Sequence, residues 1–86
     1  MKISYSTKFV REYKHLSLQH KKKAEKREEL FVHNPFDPKL DTHALAGRLK
    51  GLWAFSIDRQ YRIIFEFVGK NDVWFHSVGP HDIYKR

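Results

Sequence analysis

Three side chains in the second half of this sequence, Arg62, His81 and Tyr84, have the types needed for acid–base work on a phosphodiester. Metal-free cleavage of RNA requires that a 2′-hydroxyl lose a proton, attack the neighbouring phosphate and expel the 5′-oxygen. Such a site needs a base, an acid for the leaving group, and fixed cations for the charge that builds on phosphate. His81 is of the one side-chain type that titrates near neutrality, and it can serve as base or acid. Tyr84, three residues on, has an ordinary pKa of about 10 and needs a neighbouring cation to act as a base. Arg62 is permanently charged and matches a phosphate with a two-pronged fork. Arg48 and Lys50 precede it and can add positive potential, and His43 stands just ahead of them.

Each of these residues also has a structural use. Arg62 can pair with Glu66, which lies on the same face of the same strand. The His81-Asp82 pair fits a capped turn, and the Tyr84 ring can pack on a sheet. His76 lies inside a strand and reads as a hydrogen-bonded structural histidine; His15, His20 and His33 read as helix-surface residues. Other chemistries have less support. There is no Cys, which excludes disulfides, thiolate metal sites and a cysteine nucleophile. His43, His76 and His81 lack a recurrent ligand spacing, so no metal is expected. Four scattered glycines make no phosphate-binding loop, no nucleophile-elbow pattern supports Ser-His-Asp catalysis, and no cofactor is expected.

The elements that must position the candidates follow from periodicity. Ile3 and Tyr5 alternate in a short extended start, and Ser6 or Thr7 can cap a first helix with Phe9, Val10, Tyr13 and Leu16 as its stripe. Ser17 can recap the chain for a second helix over 18–33, whose thin stripe is Leu18, Ala24, the Arg27 stem, Leu30 and Phe31. Asn34-Pro35 ends it, because the residue before proline avoids the helical region. Trp53, Phe55 and Ile57 alternate, as do Tyr61, Ile63, Phe65 and Phe67, and a three-residue loop of Asp58, Arg59 and Gln60 puts both sets on one face. Ser56, Asp58, Arg62, Ile64 and Glu66 then occupy the other face. A turn at 69–72 leads to a last strand over 73–78 that is apolar on both faces. The segment 43–50 is ambiguous between a short strand and an irregular crossing. The expectation is one α+β domain over 1–86, with two N-terminal helices packed on a curved antiparallel sheet.

The 86 residues carry 17 Lys and Arg against 10 Asp and Glu, a formal charge of +7 that points to a polyanionic partner, either nucleic acid or an acidic protein. The excess is concentrated in 1–33, with nine basic and four acidic side chains. No stretch reaches the roughly 18 apolar residues of a membrane span, and the N-terminus lacks an apolar signal core. The expected location is therefore the cytoplasm.

Leu49-Lys50-Gly51-Leu52-Trp53, Tyr61-Arg62-Ile63-Ile64-Phe65 and Val78-Gly79-Pro80-His81-Asp82-Ile83-Tyr84 together resemble the RelE/ParE superfamily of bacterial toxins, over the whole chain. The resemblance implies the toxin of a type II toxin–antitoxin module and a RelE-like fold. For the RelE branch it implies a ribosome-dependent mRNA endoribonuclease that inhibits translation. On that pattern Arg62 binds phosphate, His81 stands where a basic residue follows the last strand, and Tyr84 takes part in catalysis. Lys50 matches the basic residue of the Leu-x-Gly segment, with Arg48 beside it and His43 before it as substrate-binding candidates. The chain departs from typical members in Pro80, where lysine follows the glycine, and in Gln60 and Ser56, where the YafQ type carries an acid and a histidine. The implied partners are an acidic antitoxin, the ribosome and mRNA. The ParE branch shares the scaffold and implies instead inhibition of DNA gyrase by binding; a catalytically degenerate toxin is a third possibility.

Overall fold

The chain starts extended, as β1 (Lys2–Tyr5), and Ser6 turns it into α1 (Thr7–Lys14). The computed structural model describes residues 1–82. The Ser6 hydroxyl accepts the Phe9 amide, satisfying one of the four N–H groups that a helix start leaves without partners. Ser17 repeats the device at α2 (Leu18–His33), accepting from the His20 amide. After Asn34-Pro35 come a 3-10 turn (Pro38–Leu40), the two-residue strand β2 (His43–Ala44), a second 3-10 turn (Gly47–Leu49), and strands β3 (Trp53–Ser56), β4 (Tyr61–Phe67) and β5 (Asp72–Pro80).

The five strands form one sheet in the order β1-β5-β4-β3-β2. The central hairpin takes the expected register, with Phe55 opposite Ile63 and Ser56 opposite Arg62. One expectation is corrected: the sheet is mixed, because β1 runs parallel to β5, with Ile3 beside Val73 and Tyr5 beside Phe75. A parallel neighbour requires a long crossover, and the helices and three antiparallel strands intervene between β1 and β5. Beyond Tyr5 the edge of β5 is no longer paired with β1, and side chains take over. The Ser6 hydroxyl donates to the His76 carbonyl at 2.7 Å, and the Glu12 carboxylate accepts the Val78 amide at 3.1 Å.

Both helices cover one face. Phe31 is fully buried and meets Phe55, Phe65 and Phe75 at ring separations of 4.7, 4.9 and 5.7 Å, while Phe9 packs on Phe75 from α1. Two residues assigned to the helical stripes fall outside the core: Val10 is 49% and Leu18 69% exposed. Val10 lies one residue past Phe9, about 100° around the helix, and Leu18 is the first residue of α2. The opposite, outer face carries Arg62, Ile64, Glu66, Trp74 and Ser77. It is less open than alternation suggests, because Leu49 and Leu52 lie near Ile64 and both Ala54 and Ile64 are buried. Gly47 and Gly51 have φ of 64° and 98° with nothing crowding a Cβ position, so backbone conformation, not space, requires glycine there.

Candidate functional site

The hairpin loop between β3 and β4 organises the site. Asp58 accepts the amides of Gln60 and Tyr61 through one oxygen, Oδ1, at 2.8 Å each, the local hydrogen bonding that favours aspartate at the start of a turn. Its other oxygen, Oδ2, faces α2, with Lys23 Nζ and His20 Nε2 each at 3.4 Å. Partial burial pushes this carboxyl upward, but the two amides and the Lys23 ammonium outweigh that and hold it below the usual carboxylate range. The His20 ring lies on Tyr61 with centroids 4.0 Å apart, and its Nδ1 meets the Ser17 hydroxyl at 2.9 Å. Helix α2 is thereby fastened to the loop.

The same loop holds two of the candidates. Arg62 Nη1 donates to the carbonyls of Asp58, Arg59 and Tyr61 at 2.9, 3.2 and 3.2 Å. The His81 amide donates to the Gln60 carbonyl at 2.5 Å. Arg62 sits opposite Gly79 on β5, so no side chain from that strand crowds its flank. An open cleft of about 680 Å³ lies beside the loop, lined by Arg59, Gln60, Tyr61, Pro80, His81 and Asp82. The Arg62–Glu66 pair considered from sequence does not form. Glu66 instead meets His76 Nε2 at 2.9 Å, which bears out a hydrogen-bonded His76.

His43 is exposed on β2, opposite Ala54, which in turn lies opposite Ile64, so it shares the outer face with Arg62. With strands about 4.8 Å apart and about 3.4 Å per residue, the two backbones lie roughly 12 Å apart. His43 Nδ1 donates to the Asp41 carbonyl at 2.9 Å, so in the neutral ring Nε2 is the proton acceptor. Arg48 lies within the second 3-10 turn and Lys50 just after it, both exposed. Tyr84 lies outside the described residues. Among those residues no cluster of three or more His, Cys, Asp or Glu side chains is arranged to hold a metal. Among the described residues no helix is long and apolar enough to cross a membrane.

Asp58, His20 and Tyr61 are absent from the sequence-derived site. The aspartate was legible as a turn former; its contact with His20 depends on how α2 docks and leaves no sequence signal.

No family model and no curated protein matches the sequence. Solved structures do match, over nearly the whole chain. YafQ from E. coli superposes with a TM-score of 0.78 at 20% identity, covering 93% of this chain and 92% of that one. A YoeB/ParE toxin from Agrobacterium tumefaciens gives 0.80 at 16% identity, covering 94% and 99%. The fold is that of the RelE/ParE toxins. A third RelE/ParE-fold structure, a YoeB-YefM complex from Staphylococcus aureus, gives 0.77 at 19% identity, covering 94% of this chain and 97% of that one. Identities this low carry the architecture and leave the site to be argued from this chain's own side chains.

Proposed function

We propose that this chain is the toxin of a type II toxin–antitoxin module and that it cleaves mRNA on the ribosome. The supporting observation is that one hairpin loop anchors both Arg62 and His81, so a cation and a proton-transfer group stand at the same end of the sheet. Arg62 Nη1 is committed to the turn; Nε and Nη2 are the donors that would hold the scissile phosphate and balance its growing charge. His81 exchanges a proton with the reacting oxygens, and Tyr84 assists. The cations Arg48 and Lys50 draw the RNA backbone to the outer face, where His43 Nε2 accepts a hydrogen bond from a ribose hydroxyl. The reaction needs no cofactor, since base, acid and fixed charge suffice.

The partner in this reading is an acidic antitoxin, which matches the +7 charge of the chain. Structures of similar fold include the DinJ-YafQ and YoeB-YefM toxin–antitoxin complexes. The association rate should fall steeply as salt rises, and a flat response would contradict the electrostatic part. The deciding experiment is bacterial cell-free translation of a defined mRNA, with cuts mapped by primer extension. Wild type is compared with Arg62→Ala, His81→Ala and Tyr84→Ala, with and without ribosomes. Ribosome-dependent cuts lost in the variants support the reading. Intact mRNA from folded protein refutes it, and inhibition of DNA gyrase by that same protein would put the ParE-like activity in its place.

A further inference from the structure

We infer that the outer face carries a second nucleotide subsite, centred on Trp74, that stacks a base of single-stranded RNA away from the Arg62 end of the sheet. The inference deepens the RNA reading above and rests on it for the identity of the polymer. Between Ile64 and Phe65 the register of β4 against β5 shifts: Ile64 faces Ser77 and Phe65 faces Phe75, so His76 is an extra residue in β5. Such a bulge re-aims a side chain. Here His76 is brought against Trp74, with ring centroids 4.4 Å apart, and Glu66 fixes it from β4.

Trp74 is 39% exposed in mid-sheet, flanked in register by Ser4 and Glu66. Trp74 stands outside the buried core cluster, and its neighbours supply what a nucleotide requires. The adjoining groove, about 260 Å³, is lined by Lys8, Leu49, Leu52, Ile64, Trp74 and His76. Lys8 offers a cation for the backbone, the leucines an apolar wall, and the indole a stacking platform that accepts any base. Glu66, the acidic side chain in register beside Trp74, is already engaged by His76. From strand geometry Trp74 lies roughly 14 Å from Arg62, so a strand held at Arg62 can run along the face and reach it.

The test uses the full chain with Trp53→Phe, which leaves Trp74 as its one tryptophan, titrated with a 2′-O-methyl hexaribonucleotide that cannot be cut. Saturable quenching of Trp74 emission is expected. Affinity, read by anisotropy of labelled RNA, should fall about 5- to 150-fold for Trp74→Ala, the range of base–aromatic stacking, and far less for Trp74→Phe. Lys8→Ala should reduce the slope of log affinity against log salt by about 0.7, as for one phosphate contact on a single strand. Unquenched emission with unchanged affinity in Trp74→Ala overturns the subsite, as does failure to bind RNA at all. Translation-dependent cleavage by wild type is scored separately. Cleavage with a silent Trp74 removes the subsite alone, whereas quenching without cleavage keeps it and removes the nuclease.

Discussion

Replacing Asp58 separates two jobs that one carboxylate performs. Both loop amides bond to Oδ1, while Lys23 and His20 face Oδ2, and the side chain is only 19% exposed. Asp58→Ala removes two charge-assisted hydrogen bonds from a turn that water can partly re-solvate. The cost should be about 2–3 kcal/mol, which for a domain of this size lowers Tm by roughly 10–20 °C. Asp58→Asn keeps a neutral acceptor at Oδ1 and loses the charge facing Lys23 and His20, so it should cost only about 1 kcal/mol. Thermal unfolding followed by circular dichroism reads both. Equal losses for alanine and asparagine, or a loss below about 1 kcal/mol for alanine, would refute the division of labour between the two oxygens. The pH dependence gives a second check with a definite sign. A depressed carboxyl stabilises the fold above its ordinary pKa and loses that contribution as pH falls through the lower folded value. Wild type and Asp58→Asn should therefore differ steadily at neutral pH and converge below about pH 4.

Three further outcomes are expected. Gly51→Ala, at φ of 98°, should cost about 1–2 kcal/mol in urea unfolding although no atom crowds the new methyl; an unchanged midpoint would mean the backbone there is not strained by a side chain. Phe31→Ala, which removes a ring packed on three other phenylalanines, should lose about 3–5 kcal/mol and leave little folded protein by circular dichroism, whereas Phe31→Leu should remain folded. Tyr5 is raised above the ordinary tyrosine value by partial burial and by its hydrogen bond to Glu28. That contribution is present below about pH 10 and lost as pH climbs through the folded value. Tyr5→Phe should therefore flatten the alkaline fall in Tm, and an unchanged alkaline limb would remove the assignment.

The central hairpin was legible because strand alternation leaves one register that buries Phe55, Ile57, Ile63 and Phe65 together. Both serine caps were legible for the same local reason: a hydroxyl just ahead of an apolar stripe. The parallel edge was not, since pairing Ile3 with Val73 is a long-range choice that two alternating residues cannot announce. Nor could the last strand be oriented, because the extra residue His76 breaks the two-residue period that alternation relies on. In the site, Arg62 could be placed on the outer face from its register with Ser56, but what holds its guanidinium could not. The carbonyls of a loop compete with Glu66 for Arg62, and only the folded turn decides in their favour.

The parallel pairing of β1 with β5 also sets the order of assembly on a translating ribosome. Ser6 and His76, which hydrogen-bond, stand seventy positions apart, so β1 waits for β5 before it has a neighbour. Contacts of such long sequence separation form late, since the intervening chain must be ordered before closure is rewarded. Gly79 and His81, which flank Arg62 and its loop, arrive with that same strand. A nascent chain lacking β5 thus has an unfinished sheet, and the loop that holds Arg62 lacks the backbone bond from His81 until that strand has been made.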